Sequence, residues 1–213
     1  MKIAMIGAGR MGQALTPLFA QAGHEVRLSN SRGPESLADL VETLGPGVRA
    51  MTVPEAVEGA DVVFLATPWG RTADAVSAVA DWAGRVVIDA TNNRSGPGPQ
   101  GLIDIGDRVS SEIVAGYIPG AKVVKAFNVT AVPILVPALA SPAGDNKAVY
   151  IAGDDDHAKS LVADLIGSIG GVAVDTGGLH TGGHLQGMSG PLAGPLEMLT
   201  PTEARSRLAQ AQS

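Results

Sequence analysis

The feature that most constrains this chain is the way it begins. Lys2–Ile6 is a short apolar strand that runs straight into Gly7-Ala8-Gly9-Arg10-Met11-Gly12. Leu15, Leu18, Phe19 and Ala22 then form one apolar stripe, so the spacing predicts a helix over residues 10–22. Strand, glycine-rich turn and helix in that order open a doubly wound α/β domain. Gly7 permits the tight turn, Gly9 lets backbone N–H groups approach an anion, and Gly12 lets the helix pack close to the strand. The start of that helix is a natural seat for a pyrophosphate.

The alternation continues along the chain. Strands are predicted at Glu25–Ser29, 48–51, 61–66, 85–90, 110–115, Lys122–Ala126, 149–153 and 172–175. Helices are predicted over 35–44, 71–82 and 157–169, with a single helical turn at 54–58. Several strands are continuous apolar runs (DVVFLA, RVVIDA), which means a mostly parallel sheet covered on both faces. The segment NRSGPGPQG, residues 93–101, reads as a loop, and the glycine-rich stretch 177–194 reads as irregular. Thr200-Pro201-Thr202-Glu203 is a capping box opening a last helix to residue 210. The expected architecture is a Rossmann-type doubly wound, mostly parallel α/β domain over 1–176, with a small C-terminal extension over 177–213.

Composition narrows the function. The 213 residues are 45% hydrophobic and only 3% aromatic, with 28 glycines, which suits an aliphatic α/β core better than an aromatic-packed β-sandwich. There is no cysteine, which excludes disulfides, thiolate catalysis and Cys-ligated zinc. A net charge of −6 argues against a nucleic-acid partner. No apolar run approaches the ~18 residues of a membrane span, and Met1 leads directly into the first strand, so a cytoplasmic protein without a membrane partner is expected.

The end of the second strand selects the dinucleotide. Rossmann domains that bind NAD place an acid there for the ribose 2′-OH. This chain has Ser29-Asn30-Ser31-Arg32 instead: hydroxyls, an amide and a guanidinium. A carboxylate would repel a 2′-phosphate, whereas Arg32 pairs with it, so NADP(H) is the expected cofactor. Arg10 is a second candidate near the adenosine phosphate, or a surface arginine of the first helical turn. The strand ends at Thr67-Pro68-Trp69, Asp89-Ala90-Thr91-Asn92 and Ala126-Phe127-Asn128 should surround the nicotinamide, because ligands sit beyond the carboxyl ends of such sheets. Trp69 is read as a stacking wall or a packing residue, and Trp82 as core.

A proton carrier is missing from the pattern. Dehydrogenases of alcohols need His, Lys or a Tyr–Lys pair at the substrate oxygen. Of the four histidines, His24 lies far from the strand ends and His157 opens a helix. His180 and His184 read best as surface loop residues; the alternative is a metal site with Asp175. Lys125 is read either as an acid or as a strand-end surface lysine. A flat hydride acceptor suits this lack of acid–base groups, since positioning then supplies most of the catalysis. Arg94 either meets such an acceptor's anionic tail or is a solvated loop residue. Leu179, Leu185, Met188, Leu192 and Leu196 give the C-terminal extension more apolar side chains than a free tail exposes, so it covers the acceptor site or makes a dimer contact.

These residues carry a resemblance. MKIAMIGAGRMG, Ser31-Arg32, Thr67-Pro68-Trp69 and the run Ile151-Ala152-Gly153-Asp154-Asp155-Asp156, followed by Val174-Asp175-Thr176-Gly177, resemble the coenzyme F420-dependent NADP oxidoreductases over nearly the whole chain. Val123-Val124-Lys125-Ala126-Phe127-Asn128-Val129 is also similar to the cytosolic reductase domain of the six-transmembrane metalloreductases. The resemblance implies NADPH at Gly7, Gly9, Gly12, Ser31, Arg32, Pro68 and Trp69. It implies a deazaflavin or flavin ring near Asn92, Asn128 and the turn ending at Ala131, and a homodimer. The expected function is hydride transfer between NADP(H) and coenzyme F420. The alternatives are an NADPH-dependent reductase of a flavin, quinone, imine or metal chelate, and a non-catalytic NADP(H)-binding sensor or subunit.

Overall fold

The computed structural model describes residues 1–96, 99–141, 146–195 and 197–213. Among them, eight strands form one sheet in the order β3-β2-β1-β4-β5-β6-β7-β8. These are β1 (Lys2–Ile6), β2 (Glu25–Ser29), β3 (Val48–Ala50), β4 (Val62–Leu65), β5 (Val86–Asp89), β6 (Lys122–Ala126), β7 (Lys147–Gly153) and β8 (Gly171–Asp175). The first six run parallel; β7 joins β6 antiparallel and pairs parallel with β8. This is the expected doubly wound, mostly parallel α/β fold. The reversal at β7 puts only Ile151–Gly153 beside β6, so the first half of β7 projects past the carboxyl end of β6.

Side chains alternate between the two faces of the sheet. Ile3, Met5, Phe64, Ile88 and Val124 belong to the core cluster on the side of helices α1 (Arg10–Gln21), α2 (Ala38–Leu44), α6 (Val132–Leu139) and α7 (Asp156–Ser168). Ala4, Ile6, Val63, Leu65, Val87 and Val123 face α3 (Val53–Val57), α4 (Thr72–Ser77), α5 (Ser110–Tyr117) and α8 (Leu179–Gln186). The last helix, α9 (Pro201–Ala211), packs on β7 and β8 through Ala148, Tyr150, Val174, Leu192 and Ala204. Its capping box is present as read, with Thr200 and Glu203 exchanging hydrogen bonds. A second one, Thr52–Glu55, opens α3. No helix of the described residues is long and apolar enough to cross a membrane.

Three expected elements differ. Residues 110–115 form a helix, not a strand: Ser110, Ser111 and Val114 are buried at helical spacing, and a short apolar run does not separate the two by itself. The stretch 177–194 is not wholly irregular, because Leu179–Gln186 is helical. Gly182 and Gly183 sit there because a side chain would strike Thr176 and Val109, so close packing outweighs their poor helix propensity. The helix over 71–82 stops at Ser77; Asp81 Oδ1 accepts from Ala83 N–H in a turn, and Trp82 folds into the core and donates to Val76 O. Residues 97 and 98 of the loop and Leu196 lie outside the described residues.

Candidate active site

The glycine turn is shaped as the motif demands. Gly7 has φ +115°, and a Cβ there would lie 2.5 Å from Ala66 O. A Cβ on Gly12 would lie 2.0 Å from Gly7 O, so the helix touches the turn backbone to backbone. Beside Gly9, by contrast, the nearest neighbour of an added Cβ is Ala66 O at 4.0 Å. That open space lies at the start of α1, which has no side-chain cap and no acid in its first turn. The helix start is therefore left for an external anion.

From this turn a cleft of about 820 Å³ leads toward the end of β2. Gly7, Ala8, Gly9, Asn30, Ser31, Arg32, Thr67 and Pro68 line it. Asn30 Oδ1 accepts from Arg32 N–H at 2.9 Å, and Asn30 Nδ2 donates to Ser36 Oγ, so the turn is held by its own side chains. The Arg32 guanidinium is exposed and has no partner among the described residues. An NADP 2′-phosphate fits this donor set, and the open face of Gly9 fits the pyrophosphate.

Sequence reasoning missed part of the lining of this cleft. Thr52, Val53 and Pro54 line it as well, together with Arg71, Asp74, Ala75 and Ala78. Arg71 leans on Asp74 at 3.7 Å with both side chains largely exposed. The Thr52–Glu55 capping box was the available signal, since it marks a helix starting immediately after β3.

Thr67 and Pro68 also border a second cavity of about 990 Å³ over the carboxyl ends of β4, β5 and β6. All three expected strand ends meet here, through Trp69, Thr91, Asn92 and Asn128, with Met11 and Ala131 beside them. Arg10 lines this cavity and is not among the residues lining the cleft beside Arg32. Gly12 lines neither space; its part is the close helix contact. Arg94 lines the cavity while its Nε donates to Gly96 O. Gln186, Met188 and Ala193–Pro195 close the cavity from the C-terminal segment, and Gly194 N–H donates to Val129 O at 3.2 Å.

Asn128 owes its place to a strained neighbour. Phe127 has φ +62°, a left-handed conformation that a bulky side chain rarely adopts, at a cost of about 1–3 kcal/mol. Its ring is buried against Phe64, with centroids 5.3 Å apart, and that packing offsets the strain. The turn it makes aims Asn128 across to Asn92, whose Nδ2 donates to Asn128 O at 2.9 Å.

Lys125 is neither an acid of this site nor a surface residue. It is fully buried between the sheet and α5. Its Nζ donates to Ser110 Oγ and Ser111 Oγ and lies 3.8 Å from Asp89 Oδ2. Burial pushes its pKa down, and the Asp89 carboxylate opposes that shift. Asp89 Oδ1 accepts from Thr91 N–H and Thr91 Oγ, so the buried pair holds the turn that leads to Asn92. His180 and His184 lie on α8, with His180 3.0 Å from Glu112; Asp175 instead pairs with Lys159, and no metal-binding group of three is found among the described residues. His24 bonds Ser168, and His157 is exposed.

Comparison with known proteins puts the chain in the class of NADP-dependent oxidoreductases. Residues 2–93 match the family model described as NADP oxidoreductase, coenzyme F420-dependent. The crystal structure of a hypothetical protein, SMa0349 of Sinorhizobium meliloti, is 37% identical, with 94% of this chain and 95% of that one covered and a TM-score of 0.84. A candidate F420-dependent NADP-reductase from Arthrobacter sp. FB24 is 28% identical, covering 85% and 86% of the two chains at a TM-score of 0.74. Over residues 2–93 the chain is thus similar to the F420-dependent NADP oxidoreductases. It is also 27% identical to the rat metalloreductase STEAP3 over 98% of its length, and spans 39% of that protein.

Proposed function

We propose that the chain carries hydride between NADP(H) and the deazaflavin coenzyme F420. NADP(H) supplies or accepts the hydride at C4 of its nicotinamide when bound. The turn Gly7–Gly12 and the start of α1 hold the pyrophosphate. Asn30, Ser31 and Arg32 hold the 2′-phosphate. Thr67, Pro68, Trp69 and Asn128 frame the nicotinamide, and Asn92 and Ala131 border the acceptor. One observation carries the reading: the described lining of the ring-side cavity contains no His, Lys, Asp, Glu or Tyr. Reduction of a carbonyl needs a proton donor at the reacting oxygen. A deazaflavin takes hydride at ring carbon and one solvent proton at ring nitrogen, so orientation is what the protein must supply.

Mixing the protein with NADPH and oxidised F420 should bleach the F420 visible absorbance; an unchanged spectrum at high protein concentration rejects F420 as acceptor. A flavin in the same place is the second reading, favoured by the identity with the rat metalloreductase across nearly the whole chain. We place the protein in the cytoplasm as a homodimer. Helix α6 (VPILVPAL) supports the dimer, because it has no polar side chain yet buries only Leu135 and Leu139 fully.

A further inference from the structure

After α8 the chain crosses the ring-side cavity as a strap, residues 187–195. Met188, Ala193, Gly194 and Pro195 line that cavity, while Gly187–Pro191 also line a separate space of about 380 Å³. The strap therefore borders open space on two sides, and close packing alone does not fix it. Its flanks are tied down. Asn128 Nδ2 donates to Gln186 O at 2.9 Å, and Ala148 N–H donates to Leu199 O at 2.9 Å. In the middle, Leu192 is fully buried and its N–H donates to Leu185 O at 3.1 Å. On either side of Leu192 the fastening comes from α9. Arg207 Nε and Nη2 donate to Pro191 O at 3.1 and 2.9 Å, and Nη2 reaches Ala193 O at 3.4 Å. Arg207 makes no ion pair among the described residues. Glu203 lies one helical turn earlier, at the spacing where Glu and Arg pair on a helix, but its carboxylate accepts from Thr200 in the capping box. The guanidinium is left to the main-chain carbonyls of the strap.

We propose that Arg207 is a positioning residue: it latches the strap as a wall of the ring-side cavity and so sets how firmly the hydride acceptor is held. It acts through the strap, since Arg207 itself lines neither the cavity nor the cleft beside Arg32. The inference rests on the proposed function for the acceptor's seat in this cavity; the latch itself holds whatever the acceptor is. A guanidinium suits the task because its rigid fork grips two carbonyls at once, which a lysine ammonium does not. With the latch released, the strap samples open arrangements, and the acceptor's apparent affinity falls with the fraction of protein in the closed one. The main hold on the dinucleotide is spared, because no strap residue lines the cleft of Gly9 and Arg32.

The test compares the intact protein with Arg207→Ala by hydrogen exchange read by mass spectrometry, alongside kinetics. Alanine is the better helix former, so α9 itself is not weakened. Peptides covering 187–195 should exchange roughly tenfold faster in Arg207→Ala, the size of one lost charge-assisted hydrogen bond, while peptides of α1 and the sheet keep their rates. The KM for coenzyme F420 should rise by a similar factor with kcat held and with NADP⁺ affinity unchanged by calorimetry. Arg207→Lys, which keeps a cation able to donate to one carbonyl, should recover part of both effects, and it carries the comparison if the alanine variant does not fold. Unchanged exchange over 187–195 overturns the latch. Exchange that quickens equally across β7, β8 and α9 also overturns it, because Arg207 would then serve the fold as a whole. Faster strap exchange with an unchanged acceptor KM overturns the positioning role. If the wild-type protein does not reduce F420, riboflavin replaces it in the kinetic arm. Failure with both removes the proposed function, and the exchange of the strap then decides the latch by itself.

Discussion

In the function proposed above, Arg32 concentrates the cofactor preference in one side chain. It is exposed, without a partner, and stands where a NAD enzyme would carry an acid. Replacing it with alanine removes one charge-assisted contact, worth about 1.5–3 kcal/mol. Calorimetry should therefore find NADPH bound by Arg32→Ala about 10- to 100-fold more weakly, with NADH unaffected, and the gap should narrow as salt rises. That residue was legible in the sequence because it follows a strand end that the hydrophobic pattern locates. The part of the cleft lined by Asp74, Ala75 and Ala78 was not, since such small or short side chains give no signal until the start of α3 and the residues of and after α4 come to line one space. Phe127 was equally silent: its left-handed backbone comes from packing on Phe64, not from any local preference.

Between elements, the buried Asp89–Lys125 pair joins β5 to β6 and both to α5. Removing one member leaves the other charge uncompensated, which typically costs about 3–5 kcal/mol. Lys125→Met should lower stability by that order in urea melts and disturb the Thr91–Asn92 turn. The pair also sets a pH dependence. Lys125 has a lowered pKa when folded and reverts toward 10.5 when unfolded. Between those values the unfolded chain holds more protons, so Lys125 makes stability rise with pH across the alkaline range below 10.5. Lys125→Met should lack that rise. The sequence placed Lys125 at the end of a strand. Its burial follows from residues 110–115 folding as a helix that carries Ser110 and Ser111 over it, which the apolar run alone did not reveal.

At the scale of the molecule, the C-terminal segment completes the site. Leu192 is fully buried in the α9 cluster, and the three residues after it line the ring-side cavity. Leu192→Ala should cost about 2–5 kcal/mol and raise the KM for the acceptor while leaving NADPH affinity in place, as steady-state kinetics and calorimetry can separate. Light scattering of the intact protein should give twice the chain mass of 21.5 kDa if α6 faces a second copy; a monomer at high concentration rejects the dimer.

The sequence by itself determined the doubly wound sheet, the dinucleotide turn and the strand ends that would surround a nicotinamide. Those features are local: strand periodicity, glycines with no room for a Cβ, and a charge at a fixed offset from a strand. Only the tertiary structure decided that β7 reverses, that Lys125 is buried, and that Gln186 reaches Asn128. Each of these depends on residues far apart in sequence coming within hydrogen-bond or van der Waals distance, and periodicity carries no information about which distant elements will meet.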